Sequence, residues 1–201
     1  MSAFDPAHEL TRLQESHRRL LDTLAGLNDD VARKDSLLPG WTIGHVLTHI
    51  ARNADSVVRR LDGAARDEVV DQYPGGEAGR SAEIEQGAGR GAAELVDDVR
   101  TTAEAVESAA ARMPEDAWDR VTRSVSGNLS PSWAVLAGRT REVEIHHVDL
   151  GLGYRPQDWP ADFVQEQLLE VLPGLAERCD PAALLAWATG RGPAPELGPW
   201  R

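Results

Sequence analysis

Four stretches of this 201-residue chain place apolar side chains at helical spacing, and no other feature constrains the fold as tightly. The first spans residues 5–27, with Leu10, Leu13, Leu20, Leu24 and Leu27 on one face, Asp5 as the cap and Pro6 in the first helical position. Residues 28–41 read as a connection. The second stretch follows Thr42, a favoured capping residue, and aligns Ile43, Val46, Leu47, Ile50, Ala54, Val57, Val58 and Leu61. Residues 63–79 break the pattern, with Tyr73-Pro74-Gly75-Gly76 as a turn. A third helix is predicted over about 81–113, its first part interrupted by Gly87, Gly89 and Gly91. Residues 118–129 read as extended or irregular. Ser130 and Pro131 then read as the cap and first residue of a fourth helix that ends near Leu150.

This pattern predicts a mainly α protein: a four-helix bundle over residues 1–153 and a short C-terminal α or α/β appendage over 154–201 packed on it. Within the appendage a helix is expected over about 162–178, interrupted at Pro173, then a short apolar segment over 182–188. The Pro- and Gly-rich end, 190–201, is expected to run over the surface.

Composition narrows the function classes. A net charge of −12 with Lys34 as the single lysine argues against a nucleic-acid partner, because phosphate-backbone affinity rests on dense positive charge. No apolar run approaches the ~20 residues of a membrane span, and residues 1–10 contain no apolar leader segment. A cytoplasmic protein without a membrane partner is therefore expected. The single cysteine, Cys179, excludes a disulfide framework and a cysteine-rich zinc site. Its neighbours Glu177 and Asp180 disfavour the thiolate a nucleophile needs. The glycine-rich phosphate cradles and the G-x-S-x-G elbow are missing as well. Six of the ten aromatic residues are tryptophans, which suit pocket walls or packing anchors.

The histidines carry the chemistry. Four of the six, His45, His49, His146 and His147, fall in two predicted core helices. At about 100° per residue, His49 lies about 120° from the middle of its apolar stripe and can face the bundle interior, whereas His45 lies about 160° away and faces water or a loop. Glu142 and His146 are four apart, one turn above each other, with Val135 and Asp149 on the same face. Glu144 and His147 point to the other side. A carboxylate and an imidazole one turn apart, joined by an imidazole from a facing helix, compose the His2Glu ligand set of a zinc site with an open fourth position. The same spacing also suits a solvated ion pair and a core or capping histidine. His45 and His49 form a rival H-x3-H pair, but no Glu follows the first His as a zinc peptidase requires.

Several longer blocks stand around these residues. They are Pro39-Gly40-Trp41-Thr42, the run from Gly44 to Asp55 (GHVLTHIARNAD), Tyr73-Pro74-Gly75-Gly76, and the run from Arg141 to Gly151 (REVEIHHVDLG). In order and separation they resemble the mycothiol-dependent maleylpyruvate isomerases of the DinB-like, or mycothiol transferase, superfamily of four-helix bundles. Downstream, Gly153-Tyr154-Arg155-Pro156, Asp158-Trp159-Pro160 and the run from Leu184 to Arg191 continue the likeness. The resemblance implies zinc held by His49, Glu142 and His146, mycothiol as cofactor, and isomerisation of maleylpyruvate to fumarylpyruvate in gentisate degradation by reversible thiolate addition to the double bond.

A small dicarboxylate substrate needs cations, and guanidinium forks suit carboxylates. By their positions in these blocks, Arg80 and Arg191 are the expected catalytic arginines. Arg52 is the candidate for the cofactor, although Asp55 on the same helix can pair with it. Asp149 is a candidate acceptor that orients His146. The family generally carries a longer C-terminal domain, so the end of this chain reads as shortened. That leaves two alternatives open: a mycothiol S-transferase acting on another electrophile with the same zinc centre, and a metal-binding protein without turnover. A monomer or homodimer is expected.

Overall fold

The Asp5 side chain accepts hydrogen bonds from the backbone N–H groups of Ala7 (3.0 Å) and His8 (3.2 Å), and Pro6 fills the first position of α1, Pro6–Leu24. The computed structural model describes residues 4–198, so residues 1–3 and 199–201 of the two expected regions, and the last three residues of the expected surface tail, lie outside the described residues. The predicted connection holds one short helix, α2 (Asp29–Ala32), capped by the Asn28 side chain, which accepts from the N–H of Val31 at 3.0 Å. Helix α3 (Ile43–Ala65) starts at a reciprocal cap: the Thr42 hydroxyl accepts from the His45 N–H, and His45 Nδ1 accepts from the Thr42 N–H.

Two expectations need correction. The single helix predicted over 81–113 is two helices, α4 (Gly76–Ala88) and α5 (Ala92–Ala111). At the break Arg90 turns back, donating to the Gly87 carbonyl (3.0 Å) and to Asp98 (2.6 Å), and Asp29 accepts from the Ala92 N–H at 2.7 Å at the new helix start. Helix α4 begins at the Tyr73-Pro74-Gly75-Gly76 turn, where Gly75 (φ 74°) and Gly76 (φ 65°) take the left-handed conformation that glycine adopts without strain. The second correction concerns Ser130 and Pro131, which do not open the fourth helix. Strand β1 (Val121–Arg123) pairs antiparallel with β2 (Leu129–Pro131), and the Thr122 hydroxyl donates to the Ser130 carbonyl at 3.1 Å, which keeps Ser130 extended. Helix α6 therefore runs Ser132–Asp149 without a side-chain cap. Ser132 instead donates its hydroxyl to the carbonyls of Ala117 and Trp118.

The bundle is a ring of four long helices: α3 packs against α5 and α6, and α1 packs against the same two. Leu13, Leu20, Val46, Leu47, Ile50, Leu61, Leu95, Val99, Val106, Leu136 and Val143 fill its interior. Helix α4 lies on the outer side of this ring, against α3. The approach is close because Gly44 has no side chain: a Cβ there would stand 2.2 Å from the carbonyl oxygen of Ala88. Among the described residues no helix is long and apolar enough to cross a membrane.

The chain divides into two compact units, Met1–Pro156 and Gln157–Arg201. In the second, α7 (Ala161–Val171) is followed by a tighter turn of helix, Leu172–Glu177, at the predicted Pro173 interruption, and Asp180 caps α8 (Pro181–Ala188). Trp159 packs edge-on against the buried Phe163, ring centroids 5.7 Å apart.

Candidate metal centre

Three side chains converge between α3 and α6. His49 projects from the second turn of α3, and Glu142 and His146 from successive turns of α6. His49 Nε2 lies 3.0 Å from His146 Nε2 and 3.1 Å from a Glu142 carboxylate oxygen, and that oxygen is 3.6 Å from His146 Nε2. The imidazoles meet at 89° with centroids 4.5 Å apart, so two ring nitrogens and one oxygen face a common point. Ligand bonds of ~2.1 Å in a tetrahedral array would set the donors about 3.4 Å apart. The observed separations bracket that value. The three residues also form the one group of His, Cys, Asp or Glu side chains among the described residues with a spacing suited to a metal ion.

The surroundings hold these groups in place. His146 Nδ1 is 2.8 Å from Asp149 Oδ2, which fixes the ring with Nε2 toward the centre. Trp41 stands edge-on to His49 at 5.7 Å and stacks on His45 at 6.2 Å. Of the H-x3-H pair, His45 is thus taken up by the start of α3, where its Nδ1 serves the cap and its Nε2 is 3.5 Å from Glu85. The tryptophans divide by role. Trp118 and Trp133 pack around Phe4 at 5.2 and 5.7 Å, Trp187 is exposed, and Trp200 is outside the described residues.

Electrostatics separates the two histidines. Burial, reinforced by the His146 and Arg80 cations, pulls His49 down to about 4, so it is neutral at pH 7. Burial opposes charge on His146 too, but hydrogen bonds to Asp149 and Glu142 outweigh it and raise the group to about 9. Burial likewise works against the Glu142 carboxylate, and the two imidazoles more than compensate, holding it well below the ordinary range. Without a metal the centre is a Glu142–His146 ion pair beside a neutral His49.

The three expected arginines are differently placed. Arg80, on α4, puts Nη2 3.1 Å from His49 Nδ1 and lies over the Tyr73 ring. Arg52 is spent on acids, 2.7 Å from Asp98 and 3.1 Å from Asp55, at the edge of a groove of about 510 Å³ that Arg59, Tyr73 and Glu83 also line. Arg191 belongs to the second unit, where its guanidinium donates to the Thr189 carbonyl, whereas the triad is built within the first. Glu144 and His147 do point away from the triad, into a buried polar cluster on the α1 side. Glu144 accepts from Ser16, Arg19 and Tyr154, each at 2.5 Å, and His147 pairs with Thr23 at 2.7 Å.

Sequence reasoning passes over Arg139. It precedes Glu142 by three, so positions 139, 142, 146 and 149 trace one stripe of ionisable residues, the signal that could have found it. Its side chain is 1% exposed. Nη1 donates to the Ile50 carbonyl and to Asn53 Oδ1, both at 2.8 Å, while Nε and Nη2 have no hydrogen-bond partner among the described residues.

Comparison with known proteins decides the lineage. Residues 13–151 match the family model described as the mycothiol maleylpyruvate isomerase N-terminal domain. The chain belongs to this family. Its fold is also that of two solved structures, one of the mycothiol-dependent maleylpyruvate isomerase and one of a histidine-to-alanine mutant of it. Both align with a TM-score of 0.82 at 21% identity over 96% of this chain and 97% of that chain. The likeness therefore extends beyond the family's N-terminal domain into the C-terminal segment that reads as shortened in the sequence. No curated protein matches the chain.

Proposed function

We propose that this protein is a zinc- and mycothiol-dependent cis–trans isomerase that converts maleylpyruvate to fumarylpyruvate in gentisate degradation, in the cytoplasm. The observation that carries this reading is the His49, Glu142 and His146 triad, donor atoms 3.0 to 3.6 Å apart, in a chain of this family. These three side chains would hold zinc, which when bound would supply a Lewis acid that keeps a thiol deprotonated at neutral pH, and mycothiol would supply that thiol for reversible addition to the double bond.

The chain's own groups do the rest. Glu142 brings one negative charge and neutral histidines none, so a divalent ion held by the three would keep a net positive charge to favour a thiolate. Asp149 keeps the proton of His146 on Nδ1 and leaves Nε2 free to coordinate. Trp41 walls one side of His49 against water. Arg80, next to the triad, offers a cation to a substrate carboxylate, and Arg191 keeps its proposed role toward a substrate carboxylate from its place in the family-like block 184–191 alone. Arg52 is assigned to the cofactor, at the edge of the groove beside α3. No protein nucleophile is needed, in keeping with Cys179, whose thiol faces the Leu175 carbonyl at 3.4 Å.

The test is an assay of purified protein with mycothiol and maleylpyruvate, following loss of the substrate's ultraviolet absorbance with and without a chelator. Isomerisation that requires both zinc and mycothiol is expected. Activity surviving complete zinc removal overturns the metal role, and stoichiometric zinc without isomerisation moves the assignment to a mycothiol S-transferase.

A further inference from the structure

Among the described residues, no acid forms an ion pair with the buried Arg139 cation. The acids and the tyrosine whose fields favour its charge, Glu142, Tyr73 and Asp55, form no ion pair with it. Burying an unpaired guanidinium is costly, and the charge persists because arginine gives up its proton only far above neutral pH. One edge of the group is accounted for: Nη1 is pinned to α3 by the Ile50 carbonyl and Asn53. The other edge, Nε and Nη2, is bare. Those two N–H bonds are parallel and match the spacing of the two oxygens of a carboxylate. A water molecule would satisfy one of them and leave the charge, whereas a carboxylate satisfies both and neutralises it.

Arg139 shares its two helices with the metal centre. Arg139 is one turn from Glu142 on α6, and its anchors Ile50 and Asn53 follow His49 by one and four residues on α3. We infer that Arg139 is a substrate-binding residue whose Nε–Nη2 edge clamps one carboxylate of a dicarboxylate beside the metal centre. This rests on the isomerase reading for the identity of the substrate, but not for the chemistry of the fork. It gives the substrate an anchor inside the bundle, pinned by backbone and amide, in addition to Arg80 on α4.

The test uses the zinc-loaded full-length protein and maleate, a dicarboxylate that does not react without thiol. Maleate is expected to shift the Arg139 Nε–H resonance in nitrogen-edited NMR, assigned by its loss in Arg139→Lys, and dimethyl maleate is expected to leave it unmoved. Lysine can keep the contacts to Ile50 and Asn53 but has no fork, so Arg139→Lys should bind maleate about tenfold more weakly, with zinc stoichiometry unchanged. No binding by the wild type, binding that leaves the Nε–H signal in place, or equal affinity in Arg139→Lys overturns the inference. Should the variant fail to fold, an Nε–H assignment through the Arg139 backbone lets the wild-type titrations with maleate and its diester decide alone. The outcomes also separate the two readings. A maleate-shifted Nε–H in a protein that does not isomerise maleylpyruvate keeps the fork and removes the reaction, and isomerisation by Arg139→Lys at the wild-type KM does the reverse.

Discussion

The guanidinium of Arg80 approaches Nδ1 of His49 at 3.1 Å, on the side of the ring opposite the Nε2 that faces Glu142 and His146. An arginine only donates, so this contact requires a lone pair on Nδ1. A neutral His49 that coordinates through Nε2 carries its proton on Nδ1 instead, and the two groups then present hydrogens to each other. Zinc held on Nε2 would therefore be expected to release Arg80 from His49 and leave its guanidinium available to an anion. Arg80→Ala removes both that conflict and a nearby positive charge. Its zinc affinity is expected to rise about threefold or more while kcat/KM falls about tenfold. Chelator competition and steady-state kinetics check the two directions, and unchanged kinetics remove Arg80 from the substrate site.

Proton competition at His146 is expected to set the pH dependence of zinc binding. With the group raised to about 9, the ion pair with Glu142 stabilises the metal-free protein fully below the unfolded value of 6.5 and is lost as pH rises through about 9. Zinc needs the neutral ring, so its affinity should climb about tenfold per pH unit from about pH 6 to 8 and level off near 9. Asp149→Asn withdraws one of the hydrogen bonds that raise the group, and the levelling should move to lower pH. Competition titrations across that range measure both slopes.

Removal of a ligand differs from removal of its neighbour. His49→Ala and Glu142→Ala are each expected to abolish stoichiometric zinc. His45→Ala should retain it and lose about 1 kcal/mol of stability, because His45 completes the cap of α3. Elemental analysis after gel filtration and a thermal melt distinguish the three. Equal zinc loss in His45→Ala would put that residue among the ligands.

On the far side of α6, Glu144 is 1% exposed and shares its carboxylate among Ser16, Arg19 and Tyr154. Glu144→Ala strands those groups and should cost about 3 kcal/mol in denaturant unfolding. Zinc content at low temperature should stay at the wild-type level, since the triad faces the other way.

Helices α1 and α3 were legible in the chain because capping chemistry and apolar period agree there: Asp5 with Pro6, and Thr42 ahead of the Ile43 stripe. The triad was legible for a related reason. A period of 3.6 residues sorts His49 from His45 and sets Glu142 under His146. Where local signals and long-range contacts conflict, the contacts win. Ser130 looks like a helix cap, yet pairing with Thr122 holds it in a strand. The break at Gly89-Arg90-Gly91 follows from Asp98 and Asp29 capturing Arg90 and Ala92, contacts that no window of sequence displays. Arg139 is not legible in the sequence because a basic residue on a helix is ordinarily solvated, and only the packing of α3 against α6 buries this one.

Gly44 sits where the Ala88 carbonyl rests on α3, five residues before His49, and α4 runs back from that contact to Arg80. The missing methyl group thus works as a spacer of zero thickness. It sets the gauge between two rods, one bearing His49 and the other Arg80, which meet at 3.1 Å. Any side chain at that point would widen the gauge along α4, so the reach of Arg80 is written at a residue outside the triad.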